Sequence, residues 1–74
     1  MKVEIIDRKQ LTPKEGEALL WLAYGKTSWE IGQILGISER TVTAHIVNMG
    51  VKLEASNRAN IIAKAVCRGI LYLH

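Results

Sequence analysis

From Leu11 onward, apolar residues recur every three or four positions and never alternate for long, which predicts helices rather than strands. Four start signals divide them. Thr12-Pro13-Lys14-Glu15 combines an N-cap threonine, a proline at the first helical position and a glutamate placed to close a capping box, and Gly25 supplies the stop. Thr27-Ser28-Trp29-Glu30 repeats the box, and Gly36 is a left-handed stop after a short second helix. Ser38 caps a third helix over 39–53, where Glu39 suits the positive N-terminal end. Ser56 or Asn57 caps a fourth, running to Gly69 or beyond. Ahead of them, Val3, Ile5 and Ile6 fit either a short extended arm or a linker tail, which sets residues 1–10 apart from a helical unit over 11–74. Gly16 interrupts good helix chemistry at a cost of ~1 kcal/mol relative to alanine, and close packing is the reading it invites.

A helix that stops at Gly36 and restarts at the Ser38 cap must turn sharply, which is helix-turn-helix spacing. In the third helix, Val42, Ile46, Met49 and Leu53 fall on one narrow stripe and are the expected core face. At 100° per residue the opposite side carries Arg40, Ala44, Val47 and Val51, with Thr43 on one shoulder and His45, Asn48 and Lys52 toward the other. A flank this small and nearly uncharged can enter a DNA major groove. Arg40 suits a guanine edge or a phosphate, Thr43 a base edge or the backbone, and Ala44 and Val47 suit thymine methyls. The competing reading makes this helix a packing element, and Val51 is expected to be buried against a partner helix.

Composition narrows the field. Seventy-four residues hold one core, and 49% apolar with 23% charged residues excludes a disordered or collagen-like chain. No apolar run reaches the ~18 residues of a membrane span and the N-terminus has no signal-like apolar segment, so the cytosol is the expected compartment. Cys67 is the single cysteine, and with His45 and His74 it cannot complete a four-ligand zinc site; no metal or cofactor is expected. His45 has no Ser, Cys or Asp placed to orient it, and phosphate loops and paired carboxylates are lacking, so the chain is not expected to be an enzyme. The net charge of +3 is confined to one half. Residues 1–37 balance to zero, whereas 38–74 set Arg40, Lys52, Arg58, Lys64 and Arg68 against Glu39 and Glu54. That surplus is compatible with a polyanion, although solvated faces often look alike.

Three segments, Leu11-Thr12-Pro13-Lys14-Glu15, Gly25-Lys26-Thr27-Ser28-Trp29-Glu30-Ile31-Gly32 and Ile37-Ser38-Glu39-Arg40-Thr41-Val42-Thr43-Ala44-His45, together resemble the LuxR-type DNA-binding domain of bacterial transcription factors. The likeness runs from residue 11 to about 71 and is nearest the quorum-sensing branch, whose longer members carry an acyl-homoserine lactone receptor domain that 74 residues cannot also hold. It implies an all-α, four-helix bundle that regulates transcription from double-stranded DNA, binding an inverted repeat as a dimer with helix 39–53 in the major groove, with RNA polymerase as a further partner. By position, Thr43 and Val47 stand where relatives read bases, while Thr27, Ser38, Arg40, Thr41, His45 and Asn48 stand where they touch the backbone. Thr43 and Val47 replace longer polar side chains common in the family, Gly32 replaces an alanine conservatively, and Gly50 replaces a larger residue and is expected to loosen the last turn.

In the fourth helix, Ala59, Ile61, Ile62, Ala63, Ala65, Val66 and Ile70 cover a wider arc than one core contact needs, so part of it is an expected two-fold interface. Ile62, Val66, Cys67 and Ile70 are its candidate residues, with Cys67 read as a small reduced hydrophobe. The alternative function is a helical protein interaction or dimerisation module that does not read DNA directly.

Overall fold

The computed structural model describes residues 1–7 and 9–74; Arg8, part of the N-terminal arm, lies outside the described residues. Four helices follow one another, α1 (Pro13–Ala23), α2 (Ser28–Leu35), α3 (Glu39–Leu53) and α4 (Arg58–Cys67), between two short strands, β1 (Val3–Ile5) and β2 (Leu71–Leu73). Local chemistry accounts for each helix start. Thr12 and Thr27 both form full capping boxes with Glu15 and Glu30, Ser38 accepts the Thr41 amide, and Asn57 rather than Ser56 caps α4 by accepting the Asn60 amide.

Each helix turns one stripe inward. Leu19 from α1, Ile31 from α2, Val42, Met49 and Leu53 from α3, and Ile61 and Ala65 from α4 are all buried in one core, and Ile46 packs partly against it. Val51 is different from expectation: it is 74% exposed, because it points 180° from the Val42 stripe and no helix covers that side.

The strands are the part the periodicity did not announce. β1 and β2 pair antiparallel with Val3 opposite Leu73 and Ile5 opposite Leu71, so part of the first ten residues is strapped to the C-terminus as an extended ribbon. Val3, Ile70 and Leu71 enter the core beneath it, and the Val3 amide also donates to the Tyr24 hydroxyl at 3.1 Å. The fourth helix ends earlier than the expected Gly69. Arg68 closes it, Gly69 takes a left-handed φ of 71°, and the chain reverses into β2.

Candidate nucleic-acid interface

The α2–α3 turn is built by two glycines with different jobs. Gly36 ends α2 in the left-handed conformation (φ 70°), which a side chain would strain. Gly32 lets the turn sit directly on α2: the Ile37 amide donates to its carbonyl at 3.0 Å, and a Cβ at Gly32 would lie only 2.7 Å from the Ile37 carbonyl oxygen. The glycine is therefore not a conservative replacement for alanine in this chain. Gly50 also differs from expectation. The helix runs unbroken to Leu53, and the missing side chain makes room for Ala55, whose carbonyl would stand 3.3 Å from a Cβ and whose amide donates to the Gly50 carbonyl at 2.8 Å.

This turn presents the outer flank of α3, about 22 Å long for 15 residues, to solvent. Arg40, Thr43, Ala44, Val47, Asn48 and Val51 are exposed along it, and His45 is half-buried at its edge. Thr27, Ser38 and Thr41 are exposed at the starts of α2 and α3. Their hydroxyls are already engaged. Thr27 Oγ1 accepts the Glu30 amide at 3.1 Å, Ser38 Oγ accepts the Thr41 amide at 3.1 Å, and Ser38 Oγ and Thr41 Oγ1 lie 2.9 Å apart. Thr43 donates its hydroxyl hydrogen to the Glu39 carbonyl at 3.1 Å, leaving only acceptor lone pairs to face outward. Arg40 makes no side-chain hydrogen bond or ion pair among the described residues. The Glu30 carboxyl titrates below its ordinary value because the Thr27 amide and hydroxyl hydrogen-bond to it.

In sequence, the basic surplus of the second half reads as one pool. In the fold, three of its members are tied to the protein itself. Arg58 donates to the Lys26 carbonyl at 2.6 Å, clamping the α1–α2 connection to α4. Arg68 donates to the Lys52 and Leu53 carbonyls at 3.2 and 3.3 Å, capping the C-terminal end of α3. Lys52 pairs with Glu15 at 2.6 Å. Local signals gave no hint of these ties, because the partners lie 15 to 37 residues apart in sequence.

Helix α4 divides its apolar arc between two faces. Ile61 and Ala65 face the core, whereas Ala59, Ala63, Val66 and Cys67 are exposed and Ile62 is half-buried between them. Ile70 has to be removed from the expected interface. It is fully buried, because the reversal at Gly69 takes it off the helical period and into the core. None of the described helices is long and apolar enough to cross a membrane.

Comparison with known proteins gives a consistent answer. Residues 9–65 match the family model described as "Bacterial regulatory proteins, luxR family". The chain is 50% identical over 68 residues to the HTH-type quorum sensing-dependent transcriptional regulator RpaR of Rhodopseudomonas palustris, covering 92% of this chain and 28% of that protein. It is 45% identical over 73 residues to the transcriptional activator protein LuxR of Aliivibrio fischeri, covering 95% of this chain and 29% of that one. A solved structure of the Vibrio cholerae VqmA dimer, described among LuxR-type receptors, superposes with a TM-score of 0.77 at 35% identity, covering 81% of this chain and 27% of that one. The chain thus spans less than a third of the length of these relatives. Its cap, turn and helix sequence belongs, with them, to the luxR family of bacterial regulatory proteins, in which this four-helix unit is the helix-turn-helix DNA-binding domain.

Proposed function

We propose that the chain is the output domain of a quorum-sensing transcriptional regulator, acting on double-stranded DNA as a dimer and without enzymatic chemistry of its own. Helix α3 lies in the major groove of each half of an inverted repeat. Arg40, Thr43, Ala44 and Val47 face base edges, and Thr27, Ser38, Thr41, His45 and Asn48 face phosphates. The observation that carries this reading is the outer flank of α3, exposed at Arg40, Thr43, Ala44, Val47 and Val51, with no other element among the described residues folded over it. The unit over 11–74 is the DNA-binding body, and the 1–10 arm braces it through β1.

The dimer contact is the exposed stripe of α4 formed by Ile62, Val66 and Cys67, which Ala59 and Ala63 make smooth enough for a second copy to approach. Quorum sensing enters through the name of the RpaR relative and transcriptional activation through that of LuxR; cytoplasmic operation and RNA polymerase as the downstream partner are part of the same proposal.

A salt titration of duplex binding tests the core of the proposal. Neutralising about four to six phosphates per subunit gives a fall in log affinity against log salt with a slope near −0.9 per contact. A flat response would leave α4 as a protein interaction surface and α3 as no reader at all.

A further inference from the structure

Resting on the α3 interface proposed above, we propose that this chain reads thymine: Val47, seconded by Ala44, recognises the C5-methyl groups of thymines in the major groove. The groove-facing line of α3 runs Arg40, Ala44, Val47, Val51, with steps of four, three and four residues that keep it on one side of the helix. Val47 is 58% exposed at its middle, a branched apolar side chain for which the fold supplies no cover.

Three polar neighbours are already engaged within the fold. Thr43 has its single donor on the Glu39 carbonyl at 3.1 Å, Thr41 shares its hydroxyl with Ser38 at 2.9 Å, and Lys52 is held by Glu15 at 2.6 Å. Arg40 is the one long donor left on the line, and it stands in the first turn, seven residues before Val47. Beyond that first turn the line itself offers only apolar groups, Ala44, Val47 and Val51, while Asn48, exposed beside Val47, belongs to the phosphate-facing edge in the interface proposed above.

Of the groups that base pairs display in the major groove, only the thymine methyl is apolar. Against the amino and carbonyl groups of the other bases, Val47 would remove water and return no hydrogen bond, which is unfavourable. Against a thymine methyl it removes apolar surface on both partners. Specificity at the middle of each half-site therefore comes from apolar contact, and substitution of that thymine by any other base is penalised.

The test begins with duplexes recovered from a random 20-base-pair library by selection on the 74-residue chain. In the recovered duplex, each half-site thymine is then replaced by deoxyuridine, which removes the methyl and leaves the pairing and polar edge intact. The expected result is about fourfold weaker binding per contacted thymine, the equivalent of one buried methylene, and about sixteenfold when both halves are changed. Val47→Ala, a helix-favouring change at an exposed position, should bring the thymine-to-uracil ratio toward one while circular dichroism stays unchanged. Equal binding of both duplexes overturns the inference and leaves the α3 interface standing. A thymine preference that survives Val47→Ala overturns the assignment to Val47. Selection that enriches no sequence removes the interface reading and this inference together.

Discussion

Lys52, in the last turn of α3, reaches back across the bundle to Glu15, in the first turn of α1, and their charged atoms meet at 2.6 Å. The same carboxylate oxygen accepts the Thr12 amide at 2.9 Å, so one atom both starts α1 and holds the end of the proposed reading helix. Glu15 is only 3% exposed, whereas Lys52 is 42% exposed, which makes the carboxylate the member that depends on the pair.

Burial pushes the Glu15 carboxyl up, but the Lys52 hydrogen bond, the Thr12 amide, the Lys52 charge and the Thr12 hydroxyl together hold it below its ordinary value of 4.5. A lowered carboxyl contributes stability that is present above about pH 4.5 and is lost as the pH falls through the native value. Lys52→Met removes the main opposing effect, so the Glu15 titration should move upward and acid unfolding should begin at higher pH. The expected loss at pH 7 is about 1–2 kcal/mol, discounted from the fully buried case because Lys52 is half in water. Urea midpoints at pH 7 and pH 4, with carboxyl chemical shifts followed by NMR, check both the sign and its origin.

Two glycines should respond to alanine in opposite directions. A Cβ at Gly16 meets nothing within 4 Å among the described residues, so the close packing its position suggests is not found there, and Gly16→Ala should gain up to about 1 kcal/mol of helix propensity. Gly32→Ala drives a methyl against the Ile37 carbonyl and should lose about 1–3 kcal/mol. Thermal melts separate them easily, since 1 kcal/mol moves the midpoint by roughly 4–8 °C in a domain of this size.

On α4, neighbouring apolar residues should fail in different ways. Val66→Glu places a charge on the exposed stripe and should leave a folded monomer, whereas Ile70→Glu buries a charge in the core and should abolish folding. Sedimentation velocity alongside circular dichroism distinguishes the outcomes; a Val66→Glu protein that sediments like the parent would exclude α4 as the dimer contact.

Arg40→Ala should lower duplex affinity without lowering the melting temperature, because the side chain makes no internal bond among the described residues and lies outside the core. If Arg40 meets a phosphate, the salt slope falls by about 0.9; if it meets a guanine edge, discrimination at one base pair falls by about 1–3 kcal/mol instead. Fluorescence anisotropy across salt concentrations and single-base variants reads both quantities.

Helix starts and the turn were legible because capping is local: a threonine, a glutamate three residues later and a glycine stop specify their own geometry. The exposed flank of α3 followed from the same periodicity, and so did three of the four core positions opposite it that are fully buried. Two features were not legible for physical reasons. Strands of three residues are too short to show a period of two, and β1 and β2 are paired across nearly the whole chain. Ile70 falls beside Val66 on a helical wheel, but the helix has already ended before it, and the left-handed Gly69 turns it inward. Val51 erred the other way, since an apolar residue does not announce whether a neighbour covers it.

Lys2 and His74 exchange two backbone hydrogen bonds, 3.3 and 2.8 Å, at the outer end of the ribbon. The first and last residues of this 74-residue unit therefore stand side by side, and a few glycines joining them would make the unit a covalent ring without moving any helix. Such a cyclised molecule would resist unravelling from either tip, since its unfolded state would have fewer shapes available to it.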